Sequence, residues 1–170
     1  MNFPQYTTTF LEDWVTNLYK KYNINFSSQI KPSQIARSLG VFIKLAPLPS
    51  RYDVFGRYKA ILIDDRLPIE KRREHFFHEL GHLLRHVGHQ SMMPEAFREL
   101  QEWDAQHFTL YASLPLHMIS KYDYSDPNII ETLSEDFKVT ESLCTQRLLQ
   151  VERKSKEYAT KQIINGELFY

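Results

Sequence analysis

The sequence predicts an α+β domain, helix-dominated, with a small sheet beside its N-terminal helices. Three observations carry that reading: apolar residues recur at helical spacing along most of the chain, strand-like alternation is concentrated around residues 41–63, and neither an internal repeat nor a Gly/Ser-rich linker divides the 170 residues. The first helix should begin at Thr9, because Thr9 and Glu12 have capping-box spacing. Phe10, Trp14, Val15, Leu18 and Tyr22 then form one apolar stripe. A short helix follows Lys31, with Pro32 at a first-turn position where its missing N–H costs nothing and Gly40 as the stop. Val41, Ile43 and Leu45 alternate with Phe42 and Lys44 and read as a strand ended by Pro47 and Pro49. Tyr58–Ile63 reads as a second strand, with Gly56 as a turn or bulge before it.

The remainder is helical by the same signals. Pro68 opens a helix expected to reach Val87, with Gly88 as its cap. Pro94 opens another that lasts to about Ser113, and a shorter segment follows Pro115. Asp126-Pro127 caps a helix carrying Ile129, Ile130, Leu133 and Phe137, and Thr140 caps one carrying Leu143, Leu148 and Val151. Asn165-Gly166 lies between two short apolar stretches and predicts a terminal hairpin.

Composition narrows the function classes. Hydrophobic residues at 42% and charged residues at 25% exclude wholesale disorder, and a chain this long buries enough surface to fold without disulfides. Lys+Arg 21 against Asp+Glu 21 gives no formal charge, which argues against nucleic acid or anionic lipid as the main partner. The single cysteine, Cys144, has no disulfide or Cys-ligand partner and reads as a small packed residue. Glu12 and Asp13 break the only early apolar stretch, so neither a secretory signal nor a membrane span is expected, and the cytoplasm is the expected location.

The chemistry lies in His78-Glu79-Leu80-Gly81-His82, inside the Pro68 helix. Residues four apart stack on one helix face, so both imidazoles point the same way and make half of a tetrahedral zinc site. Glu79 projects about 100° around the helix from His78. It is poorly aimed as a ligand and well placed as a general base for water. Phe76, Phe77, Leu80, Leu83 and Leu84 cover much of the remaining circumference, so the helix should be buried, and its polar groups then need a partner such as a divalent ion. A catalytic zinc takes three protein ligands and keeps one position open. The next helix offers the third in Glu102, beside an apolar side of Trp103, Ala105, Phe108 and Tyr111. Asp104 is the rival, aimed about 200° away.

These residues resemble the ImmA/IrrE group of zinc metallo-endopeptidases, whose pattern is a HELGH helix followed by E-x-x-A-N-x-F-A…L-x-P. The matching stretch runs from His78–His82 through Glu102-Trp103-Asp104-Ala105-Gln106-His107-Phe108 to Leu114-Pro115; Phe137-Lys138-Val139-Thr140…Arg147-Leu148 echoes the group's common ending. Gln106 stands where Asn is commoner, and Thr109 where Ala is usual. The resemblance implies His78, His82 and Glu102 as ligands of one Zn2+ and Glu79 as the catalytic carboxylate. It also implies one metallopeptidase domain over residues 1–170, with a metal-binding core over 41–115 and a C-terminal helical part over 116–160. The implied substrate is a helix-turn-helix repressor of a phage or mobile element, encoded nearby, with no direct nucleic-acid or membrane partner. Tyr58–Ile63, just before the metal helix, is the expected edge on which an extended substrate pairs.

Two other classes compete. A metal-binding regulator could use the same ligands without turnover, and only Glu79 separates it from an enzyme. Asn128–Phe137 and Thr140–Val151 have helix-turn-helix spacing, but from Lys121 onward seven Lys/Arg face nine Asp/Glu, the wrong sign for a phosphate-contacting region. His75, His86, His89, His107 and His117 are expected to be non-catalytic, and no residue stands out as the oxyanion donor.

Overall fold

A computed structural model describes residues 3–85 and 94–167. Thr9 caps α1 (Phe10–Lys21) through a complete capping box: its hydroxyl accepts from the Glu12 N–H while Glu12 reaches back to the Thr9 N–H. The buried stripe of α1 is Leu11, Val15 and Tyr19, rotated from the expected one, and Phe10 is exposed. Tertiary packing overrode a stripe that intrinsic hydrophobicity left ambiguous, because apolar residues lie on more than one side of this helix. A 3-10 turn at Ser27–Gln29 leads to α2 (Pro32–Ser38), ended by Gly40 at φ +67°, a backbone conformation that costs glycine little.

Among the described residues the sheet has three strands in the order β1-β3-β2. They are β1 (Phe42–Ala46), β2 (Arg51–Phe55) and β3 (Tyr58–Asp64); β1 runs parallel to β3, and β2 runs antiparallel to it. β2 was not expected from the sequence. It forms a hairpin with β3 across Gly56-Arg57, and Gly56 takes φ +59° as that tight turn requires. β3 is therefore paired on both sides and buried from Ala60 to Asp64. It offers no edge, so an extended substrate cannot pair there. The strand with an outer edge beside the metal helix is β2.

The helical layer packs on the Ile61 and Ile63 side of β3. α3 (Ile69–Arg85) and α4 (Glu95–Ser113) pack on each other, and α3 also touches β2 and β3. The expected end of α3 at Val87 and Gly88 lies outside the described residues. α5 (Leu116–Ile119) and α6 (Ile129–Phe137) follow; the N-cap of α6 is Asn128, and Asp126 instead accepts a hydrogen bond from the Asn128 N–H. Lys138 takes left-handed φ +55° to end α6, and Thr140 caps α7 (Glu141–Glu167) by accepting from the Leu143 N–H.

The expected terminal hairpin is not formed, because α7 continues through Asn165 and Gly166 to Glu167. Extending an existing helix adds one hydrogen bond per residue fixed, whereas an isolated two-stranded hairpin is marginal in water. Leu143, Cys144, Leu148 and Val151 of α7 join Leu133 and Phe137 of α6 in the core. Cys144 is wholly buried, and burial pushes its thiol up to about 12, so it is inert packing as expected. No described helix is long and apolar enough to cross a membrane.

Candidate metal centre

The site is built where α3 and α4 approach most closely. A Cβ added to Gly81 would stand 3.0 Å from the Phe108 ring and 3.2 Å from Phe108 Cβ, so the glycine inside the HELGH motif is what lets the two helices meet. Arg85 fastens the same crossing through Asp104, with Nε to Oδ2 at 2.6 Å and Nη2 to Oδ1 at 3.2 Å. Asp104, the rival ligand, is thus engaged away from the imidazoles. Trp103, expected on the apolar side of α4, is exposed, whereas Ala105, Phe108 and Tyr111 are buried.

Closing α3 on α4 brings Glu102 to the two histidines. His78 Nε2 and His82 Nε2 are 3.2 Å apart, Glu102 Oε2 is 3.2 Å from His78 Nε2, and Glu102 Oε1 is 3.2 Å from His82 Nε2. Ligands held 2.0–2.1 Å from one tetrahedral ion would be separated by about 3.3 Å. The imidazole separation is close to that value, and an oxygen of Glu102 lies at a similar distance from each ring. His82 is buried, while His78 and Glu102 are partly open to solvent, so the cluster can be reached from solvent. The donor set fits a divalent metal ion.

Glu79 stands beside this face. Its pKa is pushed up to about 7, chiefly by burial and secondarily by the charge of Glu102, against a hydrogen bond from the Tyr52 backbone N–H. A carboxyl held near neutrality is suited to taking and returning a proton. Tyr52 was not anticipated, because the strand that carries it was not. Its ring stacks on His82, with centroids 5.8 Å apart and planes 20° from parallel. The available signal was the alternation of Tyr52 and Val54 with Arg51 and Asp53 immediately before Gly56.

His78 and Glu79 line a cavity of about 890 Å³ that continues past Ser50, His75, Gln106 and His107. Of the other histidines, His75 Nδ1 lies 3.0 Å from Ser50 Oγ, and His107 Nδ1 lies 2.8 Å from the Trp103 carbonyl. His117 is remote, against Tyr19, and His86 and His89 lie outside the described residues.

A helix pair of this kind, with two imidazoles four residues apart, a carboxylate from the next helix and a second carboxylate alongside, defines a metallopeptidase-type centre. Residues 36–149 match the family described as IrrE N-terminal-like domain, peptidase family M78, and the chain belongs to that family. It is 30% identical to the uncharacterized protein YqaB of Bacillus subtilis (strain 168) over 166 residues, 96% of each chain. It is 29% identical to the phage-like element PBSX protein XkdA of the same organism over 146 residues, 85% of this chain and 74% of that one. No solved structure matches it.

Proposed function

We propose that the chain is a single-domain zinc endopeptidase acting in the cytoplasm, with His78, His82 and Glu102 as metal ligands and Glu79 as the catalytic carboxylate. The observation that carries this reading is the set of 3.2 Å separations among His78, His82 and Glu102, with Glu79 beside them at a pKa near 7. A zinc ion held there would supply Lewis acidity. Glu79 takes a proton from water as the water oxygen bonds to the scissile carbonyl carbon, then gives it to the amine as the C–N bond breaks.

The outer edge of β2 lays out the substrate. Because the Tyr52 N–H turns to Glu79, residues 52 and 54 direct their backbone groups away from β3, and the Tyr52 carbonyl and Val54 N–H can pair with an extended chain. Proline at Val54, which removes that N–H, should reduce cleavage without disturbing the β2–β3 pairing; unchanged cleavage would exclude the edge.

The substrate is a helix-turn-helix repressor of a phage or mobile element, encoded next to the gene. Similarity to a protein of a phage-like element supports this context. Co-expression with the neighbouring repressor, followed by mass analysis of fragments, tests it. Glu79→Gln should keep zinc bound and lower cleavage by on the order of 10²–10⁴-fold. Equal cleavage by that variant would leave a metal-binding regulator as the surviving interpretation.

A further inference from the structure

We propose that Tyr52 is a catalytic hydrogen-bond donor of this site, its phenol O–H directed to the scissile carbonyl oxygen as that oxygen gains negative charge; the inference rests on the metallopeptidase reading above. Charge developing on a carbonyl oxygen in a partly desolvated site requires a preorganised donor. The sequence alone leaves ten tyrosines and several histidines as candidates. The structure separates them.

Tyr52 is fixed at both ends of the catalytic group. Its backbone N–H holds Glu79, and its ring lies flat against His82. The carboxylates of Glu79 and Glu102 both act electrostatically on its phenol. Among the described residues no side chain hydrogen-bonds this hydroxyl, so its proton remains available to a ligand. His75 and His107 line the cavity beside His78 and Glu79, whereas among the described residues Tyr52 is the tyrosine whose ring stacks on a ligand imidazole. β2 also offers the substrate backbone its edge. The same strand therefore aligns the peptide and carries the donor, and the donor's position relative to the scissile bond is set by strand register rather than by a mobile loop.

The test uses the full chain loaded with Co2+, whose visible bands report ligand geometry, titrated with acetohydroxamate, which places an anionic oxygen beside a bound cation. Tyr52→Phe removes one oxygen and keeps the ring. Its cobalt spectrum without hydroxamate should match the wild type, and its acetohydroxamate Kd should rise on the order of tenfold or more. An unchanged Kd overturns the proposal, as does wild-type protein that binds cobalt but not acetohydroxamate. Failure of the wild type to bind cobalt at all defeats the metal centre itself and is a distinct result. Once a cleavable repressor is in hand, Tyr52→Phe should lower kcat with KM nearly unchanged; a merely structural tyrosine would not give that split.

Discussion

Two carboxylates in this protein sit in polar clusters at different places in the fold, and their surroundings are of opposite kinds. Glu12 on α1 is 3% exposed and surrounded by donors: Arg147 Nη2 at 2.8 Å, Lys154 Nζ at 2.7 Å, the Tyr6 hydroxyl at 2.5 Å and the Thr9 N–H at 3.2 Å. Burial alone would raise its pKa, but Arg147 and Lys154 hold it below the ordinary value. Glu102 on α4 instead faces two imidazole nitrogens, with Glu79 close enough for the two acids to repel. The first cluster carries its own cations and joins α1 to α7. The second gathers two imidazoles and a carboxylate around one point, a donor set that a metal ion fits. Buried charge that is internally balanced marks architecture, whereas bases converging on one point mark a site.

Deleting one partner in each cluster separates these cases. Arg147 is wholly buried, and Arg147→Ala would strand Glu12 without its main partner. We expect a loss of about 3–5 kcal/mol in urea unfolding, with metal affinity of the folded protein unchanged. Glu102→Gln should do the reverse: metal-free stability equal to or above wild type, and metal affinity sharply reduced. It should also lower the pKa of Glu79 in the metal-free protein, since the Glu102 charge is one of the two causes raising it. Carbon NMR titration of the glutamate carboxyls checks that. Loss of stability in Glu102→Gln matching that of Arg147→Ala would erase the distinction.

Metal addition is the next largest effect. At about 1,000 times its Kd, an ion that binds only the folded state adds about 4 kcal/mol. Thermal melts with and without Zn2+ should show that gain in wild-type protein and lose most of it in Glu102→Gln. Arg147→Ala should keep it. Gly81→Ala ranks below these, because the new methyl would meet Phe108 at 3.0–3.2 Å and force α3 from α4. Overpacking of this kind costs about 1–3 kcal/mol, and because it moves Glu102 it should weaken metal binding as well.

The legibility of the two clusters in the sequence differed for a physical reason. His78, Glu79 and His82 share one stretch of helix, so local geometry relates them, and Glu102 was the favoured partner over Asp104 on a second helix that folds back; the structure gathers His78, His82 and Glu102. Most helix boundaries were equally local, from the Thr9 capping box to the Thr140 cap. Tyr52 and β2 were missed because a five-residue strand carries little periodic signal of its own and is fixed by pairing with β3. That pairing also moved the substrate edge from β3 to β2. Glu12 and Arg147 are 135 positions apart, and nothing in either neighbourhood indicates that one neutralises the other. The terminal hairpin failed in the opposite way, since a strong local turn signal yielded to a helix already under way.

The smallest expected effect concerns acid. Both ring nitrogens of His117 are buried with no hydrogen-bond partner among the described residues, and burial, with Lys121 and Lys20 nearby, holds its pKa below the ordinary value. The folded protein therefore keeps this imidazole neutral, while the unfolded chain protonates it near pH ~6.5. The contribution is fully present above that pH and is lost as pH falls below it, with a slope of at most about 1.4 kcal/mol per pH unit. His75, whose pKa burial also lowers, adds in the same direction. Glu79 opposes them in metal-free protein: with its folded pKa near 7 it binds a proton that the unfolded chain does not, which stabilises the fold as pH falls from 7 toward its ordinary range. The wild-type profile mixes these signs, so the informative quantity is a difference. His117→Phe, which keeps a ring against Tyr19, should equal or exceed wild-type stability at pH 7.5 and lose less than wild type between pH 6.5 and 5. Parallel profiles for the two proteins would show that His117 gains its proton in the folded state as readily as in the unfolded one.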